Sequence, residues 1–163
     1  MGTSYVYAGA PTDNWVQFAG YYWRIIRING DGSIRLIYNG TSTATTGTST
    51  QIQTSAYNST YNDNAYVGYM YGSRGASSYS ATHANTNNST IKGILDNWYK
   101  TNIVDKGHSD KVSTEAGFCN DRKTQSGVMS WYGTLGYGTN ATTYAPLGRL
   151  MSNGSGKVVK HQV

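Results

Sequence analysis

The sequence predicts an α+β domain: antiparallel and β-rich, with one packed helix over about 89–104 and long polar loops. Three observations carry this expectation. Residues 21–38 form two runs of β-branched and aromatic residues separated by a glycine turn. Ile91, Ile94, Leu95, Trp98 and Tyr99 recur at helical spacing. Between such segments lie tracts of Ser, Thr, Asn and Gly that are longer than ordinary turns.

The elements follow in order. Tyr5-Val6-Tyr7 opens a short β-like run over 5–9, and Ala10-Pro11-Thr12-Asp13-Asn14 is a turn cluster. Trp15-Val16-Gln17-Phe18 is a second run, and Gly20 precedes the segment Tyr21–Tyr38. Within it, Asn29-Gly30-Asp31-Gly32 is expected to supply the positive φ angles of a tight hairpin. Arg24, Arg27 and Arg35 interrupt the apolar residues, as in a half-solvated sheet. Residues 40–64 read as a long surface loop, 65–71 as another strand, and 72–88 as a polar loop. The helix of 89–104 begins at Ser89 or Asn88, either of which can cap it. Its apolar stripe is core packing, and Gly93 weakens it by about 1 kcal/mol relative to Ala. Farther on, Ala116–Arg122 is a compact mixed motif, Trp131–Gly138 alternates aromatics with glycines, and Tyr144–Met151 is one more strand or a packed loop. Residues 1–151 read as a single module and 152–163 as a flexible tail. No repeat of fixed period occurs.

Composition excludes several function classes. With 163 residues the chain buries a core without staples, and its single cysteine permits no internal disulfide. Charged residues are 13%, about half the usual share, so solubility rests on hydroxyls and amides, as in secreted and cell-surface β-proteins. The formal charge of +5 reflects scarce acids rather than a basic run, which speaks against nucleic acid as a partner. No stretch has the roughly 18 apolar residues of a membrane helix, so this chain is not expected to insert in a membrane. No signal peptide opens it, so an export signal is expected elsewhere.

No catalytic constellation emerges. His83, His108 and His161 are remote in sequence and read as exposed loop or tail residues, without zinc spacing. Cys119 lies between Phe118 and Asn120-Asp121-Arg122, where Arg122 would lower a thiol pKa, but no motif supports activation. Glycoside hydrolysis needs a carboxylate pair, and eight acids leave few candidates. No cofactor is expected. Calcium is the one metal with grouped oxygen ligands, at Asn29-Gly30-Asp31-Gly32-Ser33 and Asn62-Asp63-Asn64. Neither fits the twelve-residue EF-hand loop, and the first is already explained as a turn. Asn-x-Ser/Thr sequons at Asn39, Asn58 and Asn140 are expected by chance in such a composition.

The aromatics carry the functional expectation, and 15 of them are Tyr. Tyr and Trp give rigid amphipathic contact area, and Ser, Gly and Asn give adaptable hydrogen bonds. Tyr69, Tyr71, Tyr79, Trp131, Tyr132 and Tyr137 lie in or beside glycine-rich segments. Of these, Tyr69, Tyr71, Trp131, Tyr132 and Tyr137 are the expected ligand-binding surface, set against the simpler role of sheet packing.

Several long motifs resemble, in the same order over roughly 5–151, a family of secreted proteins of low-GC Gram-positive gut bacteria. They are the hairpin Tyr22–Tyr38, Asn62–Gly72, the helix entry Thr82–Ile91, Asp96-Asn97-Trp98-Tyr99 and Ala116–Arg122. These proteins look similar to a broader domain-of-unknown-function family. The resemblance implies a displayed module and a C-type-lectin-like or formylglycine-generating-enzyme-like fold. It brings no catalytic or ligand residues with it. Family chains continue to a Trp-containing strand and a Gly-Val-Arg-Pro-type closing motif, which this sequence lacks, so the expectation is an N-terminal part of a longer protein or a short variant.

The function expected is extracellular recognition or adhesion, non-catalytic, with a glycan or a host or cell-surface protein as partner. The alternative is a structural, self-assembling surface or phage-tail-type protein that forms homo-oligomers.

Overall fold

The structure, a computed structural model, describes residues 2–59, 68–76 and 78–115. Its elements are β1 (Tyr5–Val6), β2 (Trp15–Phe18), β3 (Tyr21–Ile28), β4 (Ile34–Tyr38), β5 (Met70–Tyr71), α1 (Tyr79–Thr82), β6 (Asn87–Asn88) and α2 (Thr90–Tyr99), which runs on as a π-helical segment, Lys100–Val104. Antiparallel sheets with one main helix make this an α+β fold. The chain divides into two compact units, 1–54 with 98–110, and 55–97 with 111–163.

In the first unit β3 is the central strand. β4 pairs with it along Trp23–Ile28. β2 pairs with Tyr21–Arg24 and β1 with Arg27–Ile28, all antiparallel. A strand has two edges, so β1 and β2 follow each other along the edge that β4 leaves open. Asn14 bridges the break between them: its carbonyl accepts from Ile25 N at 2.8 Å, and its Nδ2 donates to Ile25 O at 2.8 Å. Ile26 O accepts from Tyr7 N at 3.2 Å. These bonds satisfy backbone groups that a broken edge would strand.

The Asn14 clamp sits where β3 carries a β-bulge. Ile25 pairs with Leu36 but Arg27 pairs with Arg35, so Ile26 is an extra residue. The consequence concerns side-chain direction. In a regular strand, residues three apart face opposite sides. The bulge absorbs one residue, so Arg24 (opposite Ile37) and Arg27 (opposite Arg35) reach the same face, because Ile37 and Arg35 are two apart on β4.

Both hairpin turns use positive φ, each in its own way. Ala19 and Gly20, at φ 54° and 82°, make the two-residue primed turn between Phe18 and Tyr21. The β3–β4 connection is wider than the tight turn the sequence suggests. Asn29 N donates to Ser33 O (2.8 Å) and Gly32 N to Asn29 O (3.0 Å), with Gly32 at φ 86°. Positive φ falls on Gly32, and Gly30 does not share it.

One face of the sheet is covered by the end of the helix. Tyr21, Trp23 and Tyr38 project to this face, and the Trp98 ring meets them at centroid distances of 5.4, 6.3 and 5.0 Å. Trp23 and Tyr38 are edge-on to each other at 5.3 Å. The Tyr21 hydroxyl donates to Asn102 Oδ1 at 2.7 Å, and Asn102 Nδ2 donates to Trp98 O at 3.0 Å. Among the described residues the buried hydrophobic side chain is Ile103, at 1% exposure, in the π segment. The core is therefore mainly half-buried rings rather than aliphatic packing. Tyr99, expected on the packed stripe, is exposed, because the chain turns inward through Ile103 instead.

In the second unit β5 and β6 form a two-stranded ribbon, Met70 opposite Asn88 and Tyr71 opposite Asn87. Ser78 caps α1 by accepting from Ala81 N, and Ser89 caps α2 by accepting from Lys92 N at 3.1 Å. Asn58 Oδ1 also accepts from Thr90 N at 3.2 Å, which ties residues 55–59 to the helix start. The predicted strand over 65–71 is observed at Met70–Tyr71, and 65–67 lie outside the described residues. So do Ala116–Arg122, the segments 131–138 and 144–151, and the tail 152–163.

Ala19 holds a left-handed backbone that costs a non-glycine residue roughly 1–2 kcal/mol but suits Asn. Ala19→Asn is therefore expected to stabilise the protein by up to about 1 kcal/mol, raising the melting midpoint by roughly 2–4 °C. An unchanged or lower midpoint in calorimetry would contradict the turn assignment.

Candidate functional site

Two surfaces stand out. The first is the tyrosine ribbon of the second unit. Ser89 N donates to Tyr69 O at 2.9 Å and Thr86 N to Tyr71 O at 2.9 Å, so the ladder carries Tyr69 and Tyr71 at alternate positions. Period-two alternation sets both on one face, with Met70 on the other. The Tyr69 ring is 49% exposed and lies 5.7 Å from the Tyr57 ring, itself 43% exposed. Sequence reasoning named Tyr69 and Tyr71 but missed Tyr57, whose carbonyl accepts from Ile91 N at the helix start. Trp131, Tyr132 and Tyr137 lie outside the described residues. Tyr79 is committed locally, with its ring 4.4 Å from that of His83.

The second surface is a cleft of about 410 Å³ in the first unit, at Arg24 and Ile37, whose register sets them on the sheet face opposite Trp98. Tyr7, Pro11, Asn14, Arg24, Ile26 and Ile37 line it. Arg24 is held from two sides: Nη2 donates to Pro11 O at 2.9 Å, and the guanidinium lies 5.1 Å from the centre of the Trp15 ring. Asn14 is 3% exposed and its Oδ1 has no hydrogen-bond partner. Arg27 and Arg35, across from each other, share this face. Arg27 Nη2 donates to Ser4 Oγ at 3.2 Å. The sequence shows these arginines only as interruptions of an apolar run. The bulge that aligns them has no signature there, since Ile25 and Ile26 are both apolar.

Other expected features resolve as local structure. His83, read as an exposed loop residue, is buried, with Nδ1 3.0 Å from Tyr79 O. His108 is half-buried against Phe18, ring centroids 5.7 Å apart, and its N–H donates to Ile103 O at 2.9 Å. His83 folds back onto Tyr79 at the end of α1, and His108 meets Phe18 of β2 after the π segment. His161, Cys119 and Asn62-Asp63-Asn64 lie outside the described residues. Asn39 is buried, and its Nδ2 donates to Ser42 O and Ala44 O, so its sequon is closed to glycosylation in the folded state. The Tyr38 phenol is held above the ordinary tyrosine range by burial and by the neighbouring Tyr21. Among the described residues no three His, Cys, Asp or Glu side chains gather at one point, and no helix is long and apolar enough to cross a membrane.

In the candidate calcium loop, Asp31 Oδ1 accepts from Ser33 N at 2.9 Å and from Ser33 Oγ at 2.7 Å. Asn29 Nδ2 donates to the same Ser33 Oγ at 2.9 Å. These groups are spent on closing the turn. The Ser33 hydroxyl, then the Ser33 N–H, hold the Asp31 carboxyl below its ordinary value. A depressed carboxylate pKa stabilises the fold above the unfolded value, and that contribution disappears as pH falls through the folded value. In a carbon-detected NMR titration Asp31 is expected to titrate below an unbonded aspartate, and Ser33→Ala to move it upward. Identical midpoints in the two proteins would contradict this arrangement. Comparison of the chain with family models, curated proteins and solved structures finds no match.

Proposed function

We propose that the protein is a non-catalytic recognition module, displayed outside the cell, that binds a glycan through the tyrosine ribbon of its second unit. The observation that supports it is the pairing of Tyr69 and Tyr57, two exposed rings 5.7 Å apart, with Tyr71 on the same ribbon face as Tyr69. The two rings, inclined at 41° to each other, offer apolar faces whose rims carry hydroxyls. The sequence neighbours Ser59 and Ser73 carry polar groups that can hydrogen-bond a ligand. Such a surface recognises the C–H face of a sugar and its hydroxyls together. A host or cell-surface protein presenting a comparable patch is the other partner class for the same residues.

A second reading is favoured by a separate feature. Among the described residues β4 pairs on one side only, and it exposes Ile34 and Ile37. An exposed strand edge with apolar side chains is a template for pairing with another copy. This is the structural, self-assembling alternative.

One experiment separates the two. The melting midpoint of the full chain is followed against a panel of neutral soluble oligosaccharides, where a ligand of the folded state raises it by an amount set by RT ln(1 + [L]/Kd). At least one sugar is expected to shift it, and Tyr69→Ala to weaken that binding about tenfold or more. No shift with any sugar, or unaltered binding by Tyr69→Ala, would refute the tyrosine site. Concentration-dependent oligomers in sedimentation, abolished by Ile34→Lys, would establish the self-assembly reading instead.

A further inference from the structure

We infer that the cleft of the first unit is a binding site for an acidic sugar, a hexuronic acid residue whose carboxylate docks on Arg24. This site is separate from the tyrosine ribbon and does not rest on it.

A guanidinium has five N–H donors in a fixed fork. In Arg24 one nitrogen, Nη2, donates to Pro11 O, and the plane is steadied over Trp15. No carboxylate pairs with Arg24 among the described residues, whose ion pairs include Lys92–Asp96 and Lys100–Asp105. Nε and Nη1 are neither hydrogen-bonded nor buried without a partner. They therefore keep solvent access at a cleft wall. The result is an oriented, unpaired cation, with the ordering of a long side chain already met by the protein. That is the arrangement that favours bidentate capture of a carboxylate.

The surroundings select the rest of the ligand. Tyr7, Pro11, Ile26 and Ile37 give the cleft apolar wall and Asn14, Asn39 and Thr50 give it neutral polar groups, a mixture suited to the C–H face and hydroxyls of a sugar ring rather than to a second charge. The volume of about 410 Å³ lies at the small-ligand end of the usual range of roughly 300–1,000 Å³. It fits one or two sugar residues and not a macromolecular duplex. Arg27, next along the same sheet face, raises the local positive potential without lining the cleft. Asp13 is on the neighbouring loop and likewise does not line it.

Isothermal titration of the full chain with D-galacturonate and with its trimer tests this. Galactose, acetate and a short single-stranded oligonucleotide serve as comparators. Binding of galacturonate is expected with a dissociation constant on the order of 1 mM, weakening as salt is raised. Ile37→Glu introduces an acid directly opposite Arg24 at an exposed position, so the fold is expected to persist while binding falls about tenfold or more. Arg24→Gln is expected to lose binding as well. The proposal is overturned if galacturonate does not bind, or if galactose binds equally well, which would remove the role of charge. It is also overturned if acetate alone binds equally well, which would remove the sugar. Tighter binding of the oligonucleotide, with galacturonate unaffected by Ile37→Glu, would reassign the arginine face to phosphate. Neutral sugars binding at Tyr69 test the ribbon alone, so either site can fail without the other.

Discussion

The Trp98 ring stands against Tyr21, Trp23 and Tyr38, and the first unit depends on that contact. Its strands are short: two, four, eight and five residues in β1 to β4. Small hairpins are marginal in water unless a face is covered. The described aliphatic core amounts to Ile103, so coverage falls to rings. Each ring pair adds about 0.5–1.5 kcal/mol beyond the area it buries. With Trp98 meeting three rings, the cluster is worth several such increments. The hydrogen bond from Tyr21 to Asn102 then fixes the helix end in register, and the π segment brings Asn102 and Ile103 inward together.

Covering one sheet face with aromatics has a consequence for the other. The opposite face is free to carry what the core cannot hold, and it carries Arg24, Arg27 and Arg35. Like charges directly across a ladder are unfavourable, so a bulge that aligns three of them is costly for stability alone. The same bulge requires Asn14 and Tyr7 to satisfy Ile25 and Ile26, and those two residues form part of the cleft. Fold and candidate site are thus coupled through a single extra residue in β3. The tyrosine ribbon is built differently, by two-residue strands whose partners are Asn87 and Asn88.

Much of the architecture is legible in the residues. β2, β3 and β4 are readable because β-branched and aromatic residues cluster between turn signals, and the helix start is readable because Ser89 precedes an apolar 3.6-period. What escapes is set by tertiary contacts. Asn87-Asn88 has no strand propensity, and it pairs because β5 offers it backbone partners. The β3–β4 turn type depends on which glycine takes positive φ, and composition does not say. His83 and His108 look like loop residues until neighbouring rings enclose them. Of the candidate site, Tyr69 and Tyr71 can be chosen from their glycine-rich setting. Tyr57 and the Arg24 cleft cannot, since they are assembled from segments distant in sequence: Asn58 reaches Thr90, and Tyr7 and Pro11 reach Arg24 and Ile26.

The most direct test of this account is a double-mutant cycle between Trp98 and Tyr38, measured by denaturant unfolding of the wild type, Trp98→Ala, Tyr38→Ala and the double variant. If the ring cluster holds the helix end on the sheet, the two losses are not additive. The predicted coupling is about 0.5–1.5 kcal/mol, with the double variant less destabilised than the sum. Additive losses would mean that the two rings stabilise the protein separately, and the cluster would no longer explain why the sheet folds.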